Sequence, residues 1–205
     1  MPHERRIGLF RAALRAMGAL CAASALCLSL SLAAGSRHAA EASKAALPAA
    51  YAQAVEERAA PAGALPGASA ADASEADDFA GEYLGVLSIP SLSLELPVAR
   101  ELDGAALRDT PCRYRGSADT GDLIIAAHSY RRHFGRLAEL EPGSELVLTT
   151  AGRELTYRLS ATETIGAYDS DALLSGDWEL TLFTCTPGGT ARLAARFALD
   201  GDFEP

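Results

Sequence analysis

The apolar positions change rhythm along this chain, and from Tyr83 onward they follow the rhythm of strands. Gly85-Val86-Leu87-Ser88-Ile89 reads as a strand stopped by Pro90. Leu92, Leu94 and Leu96 then alternate with polar residues up to Pro97, which predicts a second strand. Leu123-Ile124-Ile125-Ala126-Ala127, between Asp122 and His128, is a continuous apolar run typical of a buried strand. Phe134, Leu137 and Leu140 recur at helical spacing, so residues 133–140 read as a short helix ended by Glu141-Pro142-Gly143. Leu146 and Leu148 lie before Ala151-Gly152, and Leu155, Tyr157, Leu159 and Ala161 alternate after it, which predicts a hairpin. Residues 178–185 and 191–199 read as two more strands, joined through Pro187-Gly188-Gly189. Many short strands with few helices predict a mostly β domain over residues 81–205, as a closed or nearly closed barrel.

The N-terminal part has a different rhythm. Arg5, Arg6, Arg11 and Arg15 precede an uncharged stretch, residues 16–36, followed closely only by Arg37. That stretch is long enough to cross a bilayer as a helix. The basic flank places residues 1–15 in the cytoplasm and the remainder outside. A cleaved signal peptide is the competing reading, because Leu30-Ser31-Leu32-Ala33-Ala34-Gly35 offers small residues for cleavage. Either reading exports the C-terminal part. Residues 37–80 are Ala-rich, with Pro48, Pro61 and Pro66 and few large apolar groups. They read as a disordered spacer, within which residues 49–60 can form a transient helix.

The formal net charge is −9, and most of it falls in residues 81–205. A non-specific nucleic-acid binder needs a basic face, so that class is excluded. Of the four cysteines, Cys21 and Cys27 lie in the N-terminal apolar run. Cys112 and Cys185 have no CxxC or metal-ligand spacing, so no metal site is expected. A disulfide between them is open in an oxidising compartment. Asp119, Asp122, Asp169 and Asp171 read as turn and capping residues rather than calcium ligands.

The chemistry gathers at strand ends. Cys185 leaves its strand just before the Pro-Gly-Gly loop, and period two places His128 on one face with Ile124 and Ala126. On the last strand Arg192, Ala194, Arg196 and Ala198 share one face, while Leu193, Ala195, Phe197 and Leu199 form the core face. A thiolate attacks a carbonyl, an imidazole moves protons and a guanidinium stabilises an oxyanion. Cys185, His128 and Arg192 are therefore the candidate catalytic residues. Thr184 is a candidate second oxyanion donor, and His133, beside Phe134, a candidate for lining the groove. Arg196 reads as a solvated or salt-bridged surface residue. The bland alternative makes Cys185 a packing group and either histidine structural.

Thr181-Leu182-Phe183-Thr184-Cys185, with Arg192 seven residues on and His128 upstream, resembles the TLxTC signature of the sortase family, cysteine transpeptidases. The block from Ala127-His128-Ser129 to Phe134 and Leu137 is similar to class B members, with Ala127 and Ser129 where Gly and Asn are usual. The resemblance covers residues 83–199. It implies a sortase-like eight-stranded β-barrel with short helices, held at the cell membrane by one span with the catalytic domain extracellular. It implies cleavage of a Leu-Pro-x-Thr-Gly-like sorting signal on secreted proteins, through a thioacyl-enzyme, and transfer to a peptidoglycan-bridge or pilin amine. No cofactor is implied. An exported cysteine peptidase without transfer and a non-catalytic exported β-domain are the alternatives.

Overall fold

The computed structural model describes residues 2–59 and 81–201. The chain divides into two compact units, Met1–His38 and Ala39–Pro205. The first unit is helical from Pro2, within helix α1 (Pro2–Ala59). Among the described residues no helix is long and apolar enough to cross a membrane. Several side chains of the 16–36 segment lie outside the described residues, as does the 60–80 part of the expected spacer.

The second unit carries the expected barrel. Its eight strands are β1 (Tyr83–Ile89), β2 (Leu94–Ala99), β3 (Cys112–Arg115), β4 (Leu123–Ala126), β5 (Glu145–Thr150), β6 (Arg153–Gly166), β7 (Leu180–Cys185) and β8 (Ala191–Leu199). They close in the order β1-β2-β3-β4-β7-β8-β6-β5. The β2–β3 and β4–β7 pairs are parallel and the remaining pairs antiparallel. The lumen is filled by Leu87, Ile89, Leu123, Ile125, Leu146, Leu148, Tyr157, Leu159, Leu182 and Phe197. Alternate residues of β4, β7 and β8 face outward, yet Ile124, Ala126, Phe183 and Ala194 are also buried there. They pack with Ile165 and with Leu173 of α3 (Ser170–Leu174). Both faces of β4 are thus covered, which is why its sequence is apolar without alternation.

The β5–β6 hairpin turns at Ala151 and Gly152, both at positive φ (46° and 68°), as a two-residue turn of right-handed strands requires. The helix expected over residues 133–140 is a 3-10 helix, Phe134–Glu139, with Phe134 and Leu137 buried. β6 runs well beyond its apolar alternation. Strand β3, α2 (Ala106–Asp109) and α3 carried no periodic signal, being only four or five residues long.

The expected spacer needs correction for residues 37–59, which are helical and continue α1 through Pro48. Ala39, Ser43, Ala50 and Ala54 are buried, forming one stripe of small side chains. Gln53 Oε1 accepts from the Tyr83 amide at 2.8 Å, and Tyr51 donates to Glu95 at 2.5 Å. Small residues, read as too poor to bury surface, here let the helix backbone approach the barrel closely.

Candidate active site

Three strand ends define the site. In the parallel β4–β7 pair Ala126 is the partner of Phe183, and the Ala127 amide still donates to the Phe183 carbonyl at 3.2 Å. His128 lies two residues past Ala126, as Cys185 lies two past Phe183. Period two therefore brings imidazole and thiol to the same outer face at the same rim. Across the antiparallel β7–β8 pair Cys185 is the partner of Arg192. Cys185 is exposed, and His128 and Arg192 are half-buried.

Local contacts fix the two partners differently. Arg192 Nε donates to the Ala167 carbonyl at 2.8 Å, and its guanidinium carbon lies 5.2 Å from the centroid of the Phe183 ring. Phe183 is braced edge-on by Tyr114, with centroids 5.3 Å apart. Among the described residues none accepts from the two Nη groups of Arg192, so these donors remain open to a ligand. His128 stands at the head of a tight turn. The Phe134 amide donates to the His128 carbonyl, and the His133 and Gly135 amides to the Tyr130 carbonyl. A Cβ on Gly135 would sit 2.4 Å from the Ser129 carbonyl oxygen, so the turn requires glycine there. The His128 ring packs on Tyr130, with centroids 5.0 Å apart.

Two candidates are not where they were expected. Thr184 is buried, and its hydroxyl donates to the Ala127 carbonyl at 2.8 Å. One residue before Cys185, it faces the opposite side of the sheet, so it ties β7 to the segment entering His128 and offers no side-chain donor to an oxyanion. His133 lines no groove. It is fully buried under α1, with Nε2 3.1 Å from Ser43 Oγ, and burial pushes its imidazole down to about 4. Arg196 is on the expected face and is salt-bridged, to Glu163, but it is buried and not at the surface. It donates to Glu163 (2.6 Å), Leu173 O (2.7 Å), Ala172 O (2.7 Å) and Thr181 Oγ1 (3.1 Å). The α3 segment covers it, and the guanidinium in return clamps α3 to the sheet.

Cys112 and Cys185 are both free thiols. Cys112 is buried, which pushes its thiol up to about 11. Two of the four aspartates take turn and capping roles. Asp169 caps α3 by accepting from the Ala172 amide at 3.0 Å, Asp122 accepts from the Ser117 amide at 3.1 Å, and Asp119 pairs with Arg153. A cavity of about 170 Å³ opens on the same outer face, where Thr181 and Arg196 pair. Ile124, Leu173, Leu174 and Trp178 line it with Arg115 and Asp122. Phe183 and Tyr130, which brace Arg192 and His128, escaped the sequence reading. Phe183 had a signal, as the variable position of TLxTC. Tyr130 had only its nearness to His128.

A family model for the sortase domain matches residues 87–200. The chain belongs to the sortase family. Sortases, as cysteine transpeptidases, need a thiol at a position such as that of Cys185. Among solved structures, sortase C of Streptococcus pneumoniae is 24% identical over 58% of this chain and 66% of that one, with a TM-score of 0.52. Sortase C1 of Streptococcus agalactiae is 25% identical over 58% and 67%, also at 0.52. Sortase C of Clostridium perfringens, solved with the C-terminal cell wall sorting motif, is 23% identical over 57% and 70%, at 0.51. The matched part thus spans about two thirds of those sortases' length. No curated protein matches the chain.

Proposed function

We propose that this sortase is a membrane-anchored transpeptidase that cleaves a Leu-Pro-x-Thr-Gly-like sorting signal and transfers the product to an amine. The observation that carries this reading is the arrival of Cys185, His128 and Arg192 at one rim and on one face of β4, β7 and β8. The Cys185 thiolate attacks the carbonyl carbon of the scissile peptide bond, forming a C–S bond. Arg192, held through Nε with its Nη groups open, stabilises the oxyanion. His128 protonates the departing amine as the C–N bond breaks, leaving a thioacyl-enzyme. An incoming amine then attacks, passes its proton to His128, forms a new C–N bond and releases the thiolate.

The donor is a secreted protein with a C-terminal sorting signal, and the acceptor a peptidoglycan-bridge or pilin amine. The class B-like placement rests on the block around His128. The uncharged 16–36 segment behind four arginines supports an N-terminal membrane anchor, with the barrel extracellular. Mass analysis of a sorting-signal peptide incubated with and without a glycine amine tests the reaction. A ligated product that appears only with the amine is expected. Hydrolysis alone under both conditions would make the chain a peptidase.

A further inference from the structure

Among the described residues, His133 Nδ1 is a buried polar atom without a hydrogen-bond partner. A group left unsatisfied in this way is costly, so its protonation state is worth working out. Ser43 Oγ has one hydrogen, and it donates that hydrogen to the Asp109 carbonyl, which can only accept. The contact between Ser43 Oγ and His133 Nε2 at 3.1 Å must then carry a hydrogen of the imidazole. His133 is therefore the Nε2–H tautomer, with Nδ1 a bare lone pair. Charging the ring would put a hydrogen on Nδ1, which has no hydrogen-bond partner among the described residues. Burial pushes the group down in the same direction, with His128 adding to it, and outweighs a backbone hydrogen bond to Ala39 and the charge of Asp109, which both favour the charged form.

This relay joins two parts of the molecule. Ser43 lies on α1 and Asp109 ends α2, while His133 closes the turn that His128 begins. From His133 the contact passes to Tyr130, with ring centroids 5.6 Å apart, and from Tyr130 to His128 at 5.0 Å. The His128 ring takes no hydrogen bond from the described residues. Among the described residues no carboxylate is bonded to it, so packing on Tyr130 sets its plane.

We propose that Ser43 is a positioning residue for catalysis: it fixes the tautomer of His133 and, through Tyr130, the plane of the His128 ring. The proposal rests on the reading of His128 as the group that moves protons. It makes the docking of α1 part of the catalytic apparatus, although α1 contributes nothing to the reacting atoms. The step lost without Ser43 is chemical, so binding of the sorting signal should be spared.

The test uses the full chain, a Leu-Pro-x-Thr-Gly peptide and a glycine amine. Ser43→Ala should lower kcat by roughly three- to tenfold, the range that one lost hydrogen bond gives, with KM unchanged. Gln53→Ala, which removes a different α1 contact, should lower thermal stability and leave kcat unchanged. Nitrogen spectra of ¹⁵N-histidine-labelled protein should show His133 as Nε2–H at neutral pH, and tautomer exchange in Ser43→Ala. Wild-type kcat in Ser43→Ala, an equal loss in Gln53→Ala, or an Nδ1–H His133 would each overturn the proposal. The spectra read the relay apart from turnover. If His128→Ala left turnover intact while the His133 tautomer proved as stated, the functional reading would fall and the tautomer assignment would stand.

Discussion

Cys185 and Arg192 are direct partners across the β7–β8 pair, one step before the Thr186 amide and Ala191 carbonyl close the loop between the strands. The guanidinium is turned along the sheet over Phe183, two residues back from the thiol, and pinned there by the Ala167 carbonyl. The cation is therefore held before substrate arrives, which is what a preorganised oxyanion site requires.

Cys185→Ala should abolish transfer and leave the fold unchanged, because the thiol is exposed and bears no packing load. Turnover and thermal unfolding measured together check this. Activity within roughly tenfold of wild type would exclude the thiol mechanism.

The two arginines of β8 should separate cleanly. Arg192→Lys should lose on the order of a hundredfold in kcat/KM with little change in Tm, since an ammonium cannot keep the Ala167 bond and present two donors in one plane. Arg196→Lys should do the reverse. One ammonium cannot reach Glu163, Thr181 and the carbonyls of Ala172 and Leu173 together, so about 2 kcal/mol of stability should be lost. Kinetics and denaturant unfolding on both variants decide it.

The histidines should also separate. His128→Ala should cost most of the turnover, and His133→Ala should cost stability together with a kcat loss no smaller than that of Ser43→Ala. His133 also sets an acid limit. Its folded value is about 4 against an ordinary 6.5, so between those values the unfolded chain binds a proton that the folded chain refuses. Its contribution is fully present above pH 6.5 and is lost as the pH falls toward 4, up to about 3 kcal/mol in all. Urea unfolding across that window should show the slope, and His133→Gln should flatten it.

Thr184→Val should keep the shape and lose the bond to the Ala127 carbonyl. A stability loss of about 1–2 kcal/mol is expected, with a smaller drop in kcat from loosening the entry to His128. A loss as large as that of Arg192→Lys would restore Thr184 to the oxyanion site.

The sequence carried the barrel wherever a strand was long and one face was buried, as in β5, β7 and β8. It carried the placement of Cys185, His128 and Arg192 at strand ends on one face, because period two is local. It failed where the deciding partner lay far along the chain. The fate of Arg196 depends on α3, which lacks a periodic signal, and that of His133 on a serine 90 residues away. The sequence allowed a transient helix over residues 49–60, but its extent from residue 37 and its docking were missed because alanine is a weak hydrophobe, and only the barrel surface beneath reveals that its small face is buried.

The parallel pairing of β4 with β7 also bears on when the enzyme becomes active. Ala127 and Thr184, which join the two strand ends, are 57 residues apart, and the whole β5–β6 hairpin lies between them. Such a pairing closes a long loop before any contact offsets the entropy lost, so it forms late in folding. Until then the thiol has Arg192 beside it from the local β7–β8 pair but no imidazole. A chain still emerging from the ribosome carries the nucleophile without the imidazole that would serve it.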